Sequence, residues 1–239
     1  MKVSASPHAY SASALGRSAF RPVGPVSRPP AGALGVALLS VLGLAATWCV
    51  AALVPAAHAR DATALYDFTL LNRGNVEWVA NGVLDSLGTA TATIWALLLV
   101  AVALRRRRPR VALAVALVMA LAPLSAEVLK PLLAHSHAVV DGIYINAASW
   151  PSGHSTAALT LAFCAVLVAP VRMRPAVLAA GLVFAAAVGL SLLILAWHMP
   201  SDVLGGYLLA SLWMSLTVAA LRASDRRWPI ASGSAHLAS

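Results

Sequence analysis

Charge is scarce in this sequence. Only 10% of its 239 residues are Asp, Glu, Lys or Arg, against about 25% in an ordinary soluble domain. So few charged side chains cannot cover a water-facing surface, which excludes a soluble globular domain. Cysteine is nearly absent as well: Cys49 and Cys164 make no CxxC motif, and a disulfide scaffold is excluded. No internal repeat, heptad pattern or glycine-rich nucleotide loop occurs. What remains is apolar. Hydrophobic residues make up 60% of the chain and mean hydropathy is +0.82, and these residues run in long blocks rather than in narrow periodic stripes. The expectation is an all-α polytopic membrane protein.

Six charge-poor stretches approach the roughly 20 helical residues that cross a hydrocarbon core. They lie at about 33–56, 86–104, 111–130, 152–171, 175–197 and 203–221. The domain division that follows is a disordered N-terminal tail over 1–32, a six-span membrane domain over 33–221 and a C-terminal tail over 222–239. The net charge of +9 raises the question of nucleic-acid binding, so its location matters. Arg17, Arg21 and Arg28 precede the first span, Arg105 to Arg110 (RRRRPR) join the second to the third, Arg172 and Arg174 join the fourth to the fifth, and Arg222, Arg226 and Arg227 follow the sixth. With six crossings all of these share one side, and the positive-inside bias puts both termini in the cytoplasm. The charge is therefore a topology signal with some attraction to anionic headgroups, and no nucleic-acid partner is expected. Ala57-His58-Ala59 has the form of a signal cleavage site, but the apolar run before it exceeds a signal h-region. Trp78, Trp150 and Trp197 fall near outer span ends, as an aromatic belt requires.

The opposite side collects the titratable groups. His58, His135, His137, His154 and His198 fall there, with Lys130, Asp141, Ser152 and Asp202. Ionisable residues at such depth usually mark a functional cavity, although His58 and Asp141 read as groups in water beyond the lipid. Trp150-Pro151-Ser152-Gly153-His154-Ser155 has proline and glycine at a helix start, where free amides and the positive helix end suit an anion. Ser152 adds a hydroxyl donor, and His154 can protonate a leaving group. The bland alternative is an ordinary helix start with an interfacial histidine. In His198-Met199-Pro200-Ser201-Asp202, a carboxylate four residues on can hold one imidazole nitrogen and leave the other nucleophilic; a capping pair is the bland alternative. Lys130, in Glu127-Val128-Leu129-Lys130-Pro131, either contacts phosphate or snorkels to the headgroups, and Glu127 stands three residues before it.

With these three segments together, the sequence resembles the type 2 phosphatidic acid phosphatase (PAP2) family, which shares its site with vanadium haloperoxidases. Pro151-Ser152-Gly153-His154 matches the second family motif, Ser191 with His198 and Asp202 fits the third, and Lys130 leads the first; the likeness spans about residues 33–221. The resemblance implies a PAP2-like helical bundle that hydrolyses a lipid phosphate at the extracytoplasmic face. It implies that His198 attacks phosphorus to give a phosphohistidine, that Asp202 orients it and that His154 protonates the leaving oxygen. Lys130, Ser152 and the Gly153 amide would hold the phosphate oxygens, with no metal or other cofactor. Two departures stand out. Leu192 replaces the third-motif arginine, and His137 followed by Ala138 stands where the first motif ends in arginine and proline. His137, with nearby His135, is the candidate substitute for that arginine, but a histidine is charged only below about pH 6.5.

Alternatives are a catalytically silent lipid-phosphate binder, a metal enzyme built on His135 and His137, an intramembrane serine protease, and a transporter or channel. The substrate class covers phosphatidic acid, phosphatidylglycerol phosphate and polyprenyl phosphates or diphosphates. Richness in Ala, Val and Arg with so few lysines points to a bacterial plasma membrane and a GC-rich genome. Partners are then the lipid phosphate and the surrounding membrane lipids.

Overall fold

The computed structural model describes residues 31–227, and the tail expected over 1–32 lies outside them except for its last two residues. Eight α-helices follow in order: α1 (Ala31–Leu53), α2 (Pro55–Thr69), α3 (Val76–Asp85), α4 (Thr89–Arg105), α5 (Pro109–Leu132), α6 (Gly153–Val168), α7 (Arg174–Ile194) and α8 (Pro200–Arg227). A 3-10 turn, Val171–Met173, precedes α7. The all-α expectation holds among the described residues, where an isolated bridge joins Val140 and Ile143.

Each of the six expected spans contains a helix, but the count of six full crossings needs correction. Among the described residues, α1, α5, α8 and α7 with its leading turn are long and apolar enough to cross a membrane alone; α3 and α4, bent by 52°, make a fifth only as a pair. The remaining helix, α6, has 16 residues, about 24 Å at 1.5 Å per residue, against a core of about 30 Å. Its position explains the shortness. It packs against α4, α5, α7 and α8, and Ser155, Thr156 and Thr160 are buried along it. Enclosed by protein, it has no stretch that must match the lipid thickness.

The outward faces confirm a lipid-facing shell. Leu39 on α1, Leu97 on α4 and Val183 on α7 are 67%, 63% and 71% exposed. Such surfaces are costly in water but suit hydrocarbon. Inside, small residues let helices approach closely, as in membrane bundles generally. Gly206 on α8 is the clearest case: a Cβ there would lie 2.5 Å from the Ser152 carbonyl oxygen and 2.8 Å from the Ser155 Cβ. Thr156 Oγ1 donates to the Gly206 carbonyl at 3.2 Å and to the Ser152 carbonyl at 2.8 Å. The starts of α6 and α8 are therefore held together.

The basic clusters meet at one end of the bundle. Arg110 reaches Asp225 at 3.3 Å, and Arg108 donates to the Leu167 carbonyl at 3.1 Å. Those contacts join the α4–α5 turn to the ends of α6 and α8. The end of α5 and the starts of α6 and α8 on the other face carry Lys130, Gly153, His154 and Asp202. Two further departures concern single elements. The helix α8 runs on to Arg227, through the first residues of the expected C-terminal tail. Trp150 is only 2% exposed, so it is a core residue and not part of an aromatic belt, whereas Trp78 and Trp197 face outward.

Candidate active site

Local backbone chemistry sets the two histidines in place. At the end of α7, the Trp197 amide donates to the Leu192 carbonyl and the Ala196 amide to the Leu193 carbonyl. With Ala196 at φ 54°, this is a Schellman-type stop made with alanine in the left-handed region, a conformation costing about 1–2 kcal/mol. The chain then reverses through His198 and Met199 into α8, opened by Pro200 at its first position. His198 Nδ1 lies 3.3 Å from Asp202 Oδ2, and the same oxygen accepts the Met199 amide at 3.0 Å. Asp202 has no exposed surface and His198 is 8% exposed. With Nδ1–H donated to the carboxylate, the Nε2 lone pair is the free one.

Ser152 caps α6, accepting the Ser155 amide at 3.4 Å, and its own amide donates to the Asp202 carbonyl at 2.9 Å. That bond joins the PSGH turn to the dyad. His154, in the first turn of α6, stacks edge-on against Trp197 with ring centroids 6.0 Å apart. Lys130, in the last turn of α5, bonds Glu127 Oε1 at 2.7 Å. The same carboxylate oxygen lies 2.7 Å from where a Gly153 Cβ would stand, and Lys130 Nζ 3.9 Å from it. A side chain at position 153 would meet the end of the Glu127 side chain first and would crowd the space beside Lys130.

His198, His154, Gly153, Lys130 and Glu127 line one cavity of about 760 Å³. From this polar end it continues between α4 and α5 past Thr89, Ala92, Ala96, Ala116, Met119, Ala120 and Pro123. The lower wall is nearly all small and apolar. A phosphate at the top would meet two imidazoles, an ammonium and a helix N-terminus, and a hydrocarbon chain would run below it.

Three sequence candidates are placed differently. Ser152 is fully buried as the α6 cap and is absent from the cavity wall. His135 and His137 also stay off that wall. The ring of His135 lies 4.7 Å from that of His137, which in turn lies 6.1 Å from that of His58. His137 Nε2 pairs with Ser149 Oγ at 2.9 Å, and His135 Nδ1 with the Leu133 carbonyl at 3.1 Å. Burial is the main cause that holds the His137 imidazole below its ordinary pKa, against the opposing pull of Asp202. That shift favours the uncharged imidazole, whereas an arginine would stay charged. Among the described residues no group of three His, Cys, Asp or Glu side chains is arranged to hold a metal ion. Leu192 is fully buried in the core. Among the described residues no arginine lines the cavity, and Glu127 does.

The fold is a membrane-type helical bundle, and one cavity brings His198 of the His–Asp dyad together with a second histidine and a lysine. Residues 111–226 match the PAP2 superfamily model. The fold is similar to that of a transmembrane PAP2-type phosphatidylglycerolphosphate phosphatase from Bacillus subtilis, with a TM-score of 0.62 and 22% identity over 82% of this chain and 98% of that one. A comparison with curated proteins finds no match.

Proposed function

We propose that this protein is an integral-membrane phosphatase that hydrolyses a phosphomonoester or diphosphate of a lipid through a phosphohistidine on His198. One observation carries the proposal: the buried His198–Asp202 dyad opens into the same cavity as His154, Lys130 and Gly153, and that cavity continues as an apolar groove. His198 Nε2 attacks phosphorus, and the bond from phosphorus to the lipid oxygen breaks. His154 gives its proton to that oxygen. Water then attacks the phosphohistidine, His154 takes a proton from it, and phosphate leaves with His198 regenerated. Asp202 stabilises the imidazolium as it forms. Lys130 and the Gly153 amide at the positive end of α6 hold the non-bridging oxygens.

The lipid class is supported by the groove between α4 and α5. Phosphatidic acid, phosphatidylglycerol phosphate and polyprenyl phosphates or diphosphates all join a phosphate to long hydrocarbon. Clustering of Arg105–Arg110, Arg172, Arg174, Arg222 and Arg226 at the end of the bundle away from the cavity supports an extracytoplasmic site in a bacterial plasma membrane. The test is release of phosphate from lipid phosphates by purified protein in detergent. Release that disappears in His198→Ala is the expected result; release unchanged in that variant would eliminate the covalent step.

A second reading, a silent lipid-phosphate binder of the same fold, is favoured by one observation. Among the described residues the cavity has no arginine, and the lysine that lines it, Lys130, is paired with Glu127. Lipid-phosphate binding with neither release nor a phosphoenzyme would establish it.

A further inference from the structure

The dyad depends on how the first turn of α8 is held, and that turn cannot cap itself. Pro200 has no amide hydrogen. The residue before it, Met199, has no side-chain acceptor to offer the first amides, as Ser, Thr, Asp or Asn would. The Asp202 and Val203 amides turn back to the Met199 carbonyl at 3.0 and 3.2 Å. The Ser201 amide takes its partner from elsewhere: it donates to Asp61 Oδ1 at 3.1 Å. Ser201 Oγ donates to Asp61 Oδ2 at 2.6 Å. Asp61 lies on α2, 140 residues away in sequence and outside the segment matched by the superfamily model. Burial raises its pKa above the ordinary carboxylate value, with the two Ser201 hydrogen bonds acting in the opposite direction.

Asp61 faces the crevice between α1, α2 and α8, with Thr47, Arg60, Pro200 and Ser201, and it is absent from the catalytic cavity. It therefore touches neither substrate nor the reacting atoms. What it holds is the residue directly before Asp202. The Asp202–His198 contact is already long at 3.3 Å, so a small displacement of the first turn would break it.

We propose that Asp61 is a positioning residue for the nucleophile: by capping α8 from α2 through Ser201, it fixes Asp202 against His198. This rests on His198 being the nucleophile. Without the cap, the catalytic step should slow by about 10- to 100-fold, the scale on which a misplacement of order 1 Å acts. Substrate binding should change little, because Lys130 and Gly153 sit on α5 and α6.

The experiment compares the full chain in detergent as wild type, Asp61→Ala, Asp61→Asn and Ser201→Ala. Phosphate release from a lipid phosphate gives kcat and KM, and hydrogen exchange follows the amides of residues 199–203. Asp61→Ala should lower kcat about 10- to 100-fold with KM within about twofold, and should speed exchange in that turn. Asp61→Asn keeps an acceptor for the Ser201 amide and should recover kcat to within about fivefold of wild type. A kcat in Asp61→Ala within twofold of wild type, with exchange unchanged, overturns the proposal. So does a loss that appears in KM rather than kcat, or one that Asp61→Asn fails to relieve. If Asp61→Ala does not fold, Ser201→Ala decides: it must lower kcat at constant KM. A wild type that releases no phosphate defeats the hydrolase reading instead, and exchange in Asp61→Ala then still tests the cap.

Discussion

The Glu127 carboxylate lies 2.7 Å from the Lys130 ammonium at the polar end of the cavity, against the glycine whose amide opens α6. A bound phosphate has to compete with that carboxylate for the lysine. The Lys130 side chain is 20% exposed and that of Glu127 59%, so the pair is solvent-screened and worth no more than about 1 kcal/mol. Glu127→Gln should therefore lower KM for a lipid phosphate by up to about fivefold, with kcat changed much less. Steady-state kinetics in mixed micelles measure this. A raised KM would show that Glu127 helps to bind the substrate rather than opposing it.

His198 and His154 should separate in a trapping experiment. His198→Ala should form no phosphoenzyme and release no phosphate. His154→Ala should still form some phosphohistidine, at a rate reduced by about 10²- to 10⁴-fold, because the nucleophile survives and only the proton donor is lost. Acid-labile, base-stable labelling after a rapid quench reads both outcomes. Equal labelling in the two variants would contradict the assigned roles.

Two glycine substitutions should differ in kind. A methyl group at Gly206 meets the Ser152 backbone oxygen and the Ser155 Cβ, neither of which can yield without parting α6 from α8. Gly206→Ala should destabilise the fold by about 1–3 kcal/mol, seen as a lowered thermal midpoint in detergent. A methyl group at Gly153 meets mainly the end of the Glu127 side chain, which has room to swing away. Gly153→Ala should keep the midpoint close to wild type and raise KM, since the methyl group intrudes on the phosphate cradle.

The histidine cluster predicts a pH dependence of stability. Burial depresses the folded-state pKa of His137 below its ordinary 6.5. Between the two values the unfolded chain binds the extra proton and the folded chain does not. Stability from this group is thus complete above about pH 6.5 and is lost as pH falls toward the depressed value. His137→Asn, which cannot take the proton, should show a smaller drop in thermal midpoint between pH 7.5 and pH 5 than wild type does. An identical drop in both would remove His137 from that dependence.

The geometry of the candidate site was legible where its residues are neighbours in sequence. Pro151 to His154 specify a helix start with a free positive end, and His198 with Asp202 specify a dyad one helical turn apart. Lys130 with Glu127 was legible for the same reason. Residues without a regular element around them were not. Spacing from Lys130 points to His137 as the arginine substitute, but the chain between α5 and α6 has no helix or strand to fix where a given residue faces, and the ring turns to Ser149. Trp150 reads as a belt residue because it sits at a span end, yet Gly205 of α8 leaves an opening that its indole fills. The helices α2 and α3 were missed altogether. Arg60, Asp61, Asp67, Arg73, Glu77 and Asp85 break up the apolar pattern there, and only the packing of residues such as Leu65 and Leu84 into the core reveals the elements. Asp61 was hidden with them.

The groove between α4 and α5 has a consequence for how the proposed reaction ends. Its lower wall is apolar and its upper end polar, so the two products of the proposed reaction suit different phases. The dephosphorylated lipid can slide sideways into the bilayer while inorganic phosphate departs upward into water. Under the proposed reading neither product would block the route of the other, and no lipid would have to be lifted out of the membrane during the cycle.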